Sequence, residues 1–83
     1  MDNLNDTVNY MNDNDWKKRF IAEYYQTKIR YRRLHNLIVN YEAGTLDFTP
    51  NCPLDLLKKQ KAAMGKYLYI LEVRARLENI ELD

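Results

Sequence analysis

The chain has no serine, one cysteine, one histidine, two glycines and two prolines in 83 residues. Catalysis by an activated serine is therefore excluded, as is an internal disulfide, and the lone Cys52 suits a reducing compartment. His35 and Cys52 fall on a helix and a loop, too few to hold a metal within one chain and too far apart for a catalytic pair. There is no glycine-rich phosphate loop and no pair of carboxylates facing inward at helical spacing. The expectation is a protein that is not an enzyme and uses no metal or cofactor. No apolar run approaches twenty residues, which argues against a membrane span. The opening Met-Asp-Asn-Leu-Asn-Asp lacks the basic and apolar regions of a signal peptide, so the protein is read as cytoplasmic.

What is present is the composition of a folded domain: 46% hydrophobic residues, 30% charged residues and a net charge of +1. That balance argues against disorder and against a strongly basic nucleic-acid binder, but it hides an asymmetry. Residues 1–14 hold three acids and no base, residues 15–41 hold seven bases against Asp15 and Glu23, and residues 42–83 sum to −1. The positive charge is concentrated in one segment. At this length a single chain has difficulty burying enough apolar surface, so help from a second copy is expected.

Periodicity fixes the fold class as all-α. Phe20, Tyr24, Thr27, Tyr31, Leu34, Ile38 and Tyr41 recur at alternating steps of four and three, and so do Leu54, Leu57, Lys61, Met64, Leu68, Leu71 and Ala75. Two helices, about 15–42 and 53–80, should fold back on each other as an antiparallel hairpin. Asn14 or Asp15 is a suitable N-cap, Gly44 a natural stop, and Pro50 and Pro53 forbid continuation through the loop. Residues 1–14, rich in Asn and Asp, read as a polar segment that is disordered or forms a short docking helix on Leu4, Val8 and Met11. Trp16 extends the first ladder and is expected to pack on the second helix, and Lys61 should snorkel out of the seam.

A second ladder accompanies each seam. On the first helix it runs Ile21, Tyr25, Lys28, Arg32, His35 and Val39; on the second it runs Leu56, Gln60, Ala63, Tyr67, Ile70, Arg74 and Leu77. A monomeric hairpin would leave such positions polar, so both faces are expected to pack outside the hairpin, with a homo-oligomer as the simplest outcome. In an antiparallel pair, positions whose numbers sum to roughly 95 lie level. Ala62 and Gly65 then leave a dent beside Lys28 and Arg32, with Tyr25 and Tyr69 as flat surfaces and Arg76 nearby. Cations for phosphates, aromatic faces for bases and small residues for room are what a small nucleotide needs. The candidate ligand-binding residues are Tyr25, Lys28, Arg32, Gly65, Tyr67, Tyr69 and Arg74.

Trp16-x-x-Arg19 opening a long helix, Leu34 and Leu37-Ile38 closing it, and Gln60-x-x-x-Met64-x-x-Tyr67-x-x-x-Leu71-x-x-Arg74 on a second one resemble the small hairpin proteins of crAss-like and other bacteriophages. Those in turn are similar to the hairpin domain of phage anti-CBASS and anti-Thoeris sponges. The resemblance spans residues 15–77. It implies an anti-defence protein that forms a homo-oligomer and sequesters, without cleaving it, a cyclic di- or trinucleotide or an NAD-derived immune signal. It also implies that a tyrosine, Tyr10 or Tyr25, works with Lys28 at pockets between subunits. Two other readings stay open: a protein-interaction module that inhibits or adapts a host or phage protein, for example a CRISPR-Cas inhibitor, and then RNA or DNA binding.

Overall fold

The computed structural model describes residues 1 and 3–82, and all their regular structure is helical. A 3-10 turn at Leu4–Thr7 runs into α1 (Val8–Met11), followed by α2 (Trp16–Ala43) and α3 (Leu54–Leu77). The side chain of Asp15, in extended backbone, accepts the Lys17 N–H at 2.9 Å and starts α2. Gly44 ends it: at φ +75° the chain turns left-handed, and the Thr45 N–H reaches back to the Asn40 carbonyl at 2.9 Å. The 28 residues of α2 account for the 43 Å long axis of the molecule at about 1.5 Å per residue.

The two long helices run antiparallel. Lys58 Nζ meets a Glu42 carboxylate oxygen at 3.2 Å near the loop, and the Tyr24 O–H donates to Glu72 Oε2 at 2.6 Å at the far end. The Tyr24–Glu72 pair matches the expected register, while Glu42 and Lys58 lie more than a helical turn from it, a gap that two long side chains bridge. The packed core gathers at that far end, where Phe20, Tyr24, Tyr25, Leu68, Leu71, Ala75 and Ile80 form one cluster. Toward the loop Ile38 is buried, while Val39, Tyr41, Phe48 and Leu56 are exposed.

Two segments complete the core: the first does form short helical turns, but Val8 and Met11, on which a docking helix was expected, are exposed. Asn3 and Asp6 cap the first turn reciprocally, each side chain accepting the other's backbone N–H at 3.2 Å. This turn places Thr7 against α2: fully buried, it donates to the Leu4 carbonyl and accepts from Gln26 Nε2 at 2.9 Å. At the other end α3 stops at Leu77, three residues before the expected limit. Asn79 adopts φ +57°, a conformation asparagine tolerates better than most residues, and the Ile80 N–H then bonds the Ala75 carbonyl at 2.7 Å. The tail turns back, burying Ile80 and laying Leu82 against the core. Ala22 and Ile29, outside both ladders, are buried along with them. Trp16, expected in the seam, is about half exposed and has the Lys17 ammonium 5.9 Å from its ring.

Candidate functional site

Tyr24 belongs to the seam, so its ring is buried by the same packing that joins the helices, with 3% exposure. Its hydroxyl cannot be buried without a partner, and Glu72, level with it on α3, provides one. Burial and that carboxylate push the hydroxyl well above the usual tyrosine range. Lys28 lies one turn further along α2, its ammonium 5.6 Å from the Tyr24 ring centre and 6.0 Å from that of Tyr25. Around this nucleus two cavities open and share Tyr24, Lys28 and Glu72. One, about 370 Å³, is closed by Ala75, Arg76 and the returning tail at Ile80 and Leu82. The other, about 280 Å³, continues along the helices to Tyr31, Arg32, His35 and Leu68.

The result is a groove with tyrosine rings in its floor, Lys28, Arg32 and Arg76 as cations, and Glu72 as its carboxylate. Such a surface can pair with phosphates, stack a planar base and accept hydrogen bonds.

Of the sequence-predicted site residues, Lys28 and Arg32 line this groove. Tyr25 adjoins Lys28 but is 8% exposed; it meets Tyr24 edge-on at 5.2 Å and its O–H donates to the Leu82 carbonyl at 2.7 Å. Gly65 faces Tyr31, whose ring would lie 3.3 Å from an added Cβ, in a separate cavity with Ala62, Lys61 and Glu42 nearer the loop. Tyr67 and Arg74 lie with Glu23. Burial and Glu23 raise the Tyr67 hydroxyl, while Arg74 stacks 4.9 Å over Phe20 and bonds Glu78 at 3.1 Å. Arg74 and Phe20 also line a fourth cavity with Trp16 and Met11. Tyr69, 66% exposed, lines none of these cavities.

Sequence reasoning missed Tyr24, Tyr31 and Glu72 as groove residues, the two tyrosines having been assigned wholly to the seam. One signal could have found Glu72. A seam tyrosine needs a partner for its hydroxyl, and the expected register places residue 72 level with Tyr24.

Fold and groove together define a small all-α protein, two long helices presenting an aromatic groove with cations on its rim. The chain belongs to the Sequestin family, whose profile matches residues 14–77. That span takes in α2, the loop and α3, and leaves out the capped first turn and the tail. No curated protein and no solved structure matches the chain. Among the described residues no helix is long and apolar enough to cross a membrane, and no cluster of metal-ligating side chains is found.

Proposed function

We propose that the protein is a phage-type anti-defence sponge, which holds a cyclic oligonucleotide or an NAD-derived immune signal without cleaving it. The observation that carries this reading is the groove. Its two cavities share Lys28 and Tyr24, Arg76 lines the one of about 370 Å³ and Arg32 and Tyr31 the one of about 280 Å³, sizes near the lower end for small-molecule sites, in a chain whose family is named for sequestration. Lys28 and Arg32 engage phosphates, Tyr31 offers a face for a base, and the buried Tyr25 braces the floor beneath Lys28.

The working form is a homo-oligomer. Leu56, Tyr67, Ile70 and Leu77 form an exposed stripe along α3, with Leu77 at 78%. The chain exposes 6157 Å², whereas a folded monomer of its 10.0 kDa mass exposes about 5,200 Å². The excess, roughly 900 Å², is close to the share each partner buries in a stable interface.

The test is thermal stability with cyclic di- and trinucleotides and cyclic ADP-ribose isomers. A ligand at 100 times its dissociation constant should add about 2.7 kcal/mol, and Lys28→Ala should abolish the gain with helicity unchanged. No shift with any compound refutes the sponge. Light scattering should give a mass above 10 kDa; a strict monomer at micromolar concentration refutes the assembly. The stripe alone would equally suit a protein-interaction module, which predicts no nucleotide response.

A further inference from the structure

A groove that only had to hold phosphates would gain nothing from a carboxylate between its cations. Glu72 nevertheless lines both cavities. It forms no ion pair within 4 Å with Lys28, Arg32 or Arg76 among the described residues, so neutralising them at contact is not its role. Its one hydrogen-bond partner among those residues is the Tyr24 O–H, which occupies one lone pair of Oε2. That bond is short, it comes from a ring fixed in the core, and it holds one end of the carboxylate in place. The remaining acceptor positions of Oε1 and Oε2 face solvent, where a molecule entering the groove can reach them.

We propose that Glu72 is a specificity-determining residue that selects guanine-containing ligands. This inference rests on the sponge reading and names the base it prefers. Guanine carries two adjacent donors on its pairing edge, the N1–H and the exocyclic N2 amino group. They match the two oxygens of a carboxylate in a bidentate arrangement. Adenine presents one donor beside the N1 lone pair, which a carboxylate repels. Uracil and cytosine each offer a single donor on that edge. With the base against the Tyr31 ring, Lys28 and Arg32 remain free for the phosphates on one side and Arg76 on the other.

The experiment compares cyclic di-GMP, cyclic di-IMP and cyclic di-AMP, which share their ribose and phosphate groups, so that differences in affinity report the base alone. Calorimetry with the full chain should give tighter binding of cyclic di-GMP than of cyclic di-AMP by roughly 5- to 150-fold, the range for a bidentate contact to a base. Cyclic di-IMP, without the 2-amino group, should fall between them. Glu72→Gln, at an exposed position and checked by circular dichroism, should weaken cyclic di-GMP. It should leave cyclic di-AMP unchanged or tighter, since an amide supplies both a donor and an acceptor to adenine and a carboxylate supplies no donor. Equal binding of the three, or loss of all three in Glu72→Gln, overturns the base assignment and leaves the sponge standing. Absence of binding by all three, in a protein that responds to cyclic ADP-ribose isomers, overturns the guanine assignment alone. Absence of response to every compound overturns both.

Discussion

Replacing Tyr24 by Phe removes one hydroxyl and leaves the buried ring in place, so it isolates the bond to Glu72. At 2.6 Å that bond has the length of an O–H donor to a charged oxygen. Bonds to charged groups contribute roughly 1.5–3 kcal/mol. Glu72 is exposed, however, and its carboxylate regains water when the tyrosine hydroxyl is removed. The expected cost therefore falls just below that range, about 1 kcal/mol, or a melting point lower by about 4–8 °C for a domain of this size. The pH dependence has a definite sign. In the unfolded chain tyrosine loses its proton near pH 10, whereas in the fold burial and Glu72 hold the Tyr24 proton to higher pH. The contribution is fully present below about pH 10 and declines as pH rises through the raised folded value. The difference between wild type and Tyr24→Phe should be constant from about pH 7 to 9 and shrink above about pH 10. Tyr67, also raised, is present in both proteins and cancels. Denaturant unfolding followed by circular dichroism at each pH measures this. Equal stability at pH 7, or a difference that does not change at pH 11, refutes the assigned role of the bond.

Gly65→Ala should raise the melting point by a few degrees while weakening ligand binding. The helix gains about 1 kcal/mol of propensity, and the half-buried Tyr31 ring, 3.3 Å from the new Cβ, gives way and disturbs the groove it lines. A lower melting point would show that Tyr31 cannot move. Leu71→Ala, at a fully buried position, should cost about 2–5 kcal/mol in urea unfolding, a large part of the roughly 4–12 kcal/mol available to a chain of this length. Ile80→Ala should cost less, because the tail can settle into the space; equal costs would mean that the tail is held as firmly as α3.

Leu68, Leu71, Ala75 and Ile38 were legible because a seam between two helices is a local repeat, visible in one strand of sequence at a time. Ala22 and Ile29 were not. They lie four residues before and three after Gln26, which bonds the buried Thr7, on a face of α2 that neither ladder marks. Tyr25 shows the same limit: read as an open face, it is covered by a tail whose return depends on the left-handed Asn79. Lys28 and Arg32 were expected together beside Ala62 and Gly65; they do lie together, because both sit on α2 where helical phase decides the neighbours, but in a different cavity from those two small residues. Gly65, Tyr67, Tyr69 and Arg74 lie elsewhere because phase errors add across two helices, and side-chain direction then decides the face.

The core is lopsided, dense around Leu71 and thin toward the loop, and the groove is built on the dense end. Backbone amides near Tyr24 and Leu71 should exchange with solvent only on nearly global opening, and those flanking the loop long before. A ligand reaching the groove therefore meets a finished surface and waits for no segment to fold. Capture is then limited by encounter, which the basic stretch of α2 accelerates for an anion. On the proposed function, competition with a receptor is decided in time as well as in affinity, and a groove formed before the ligand arrives favours early capture.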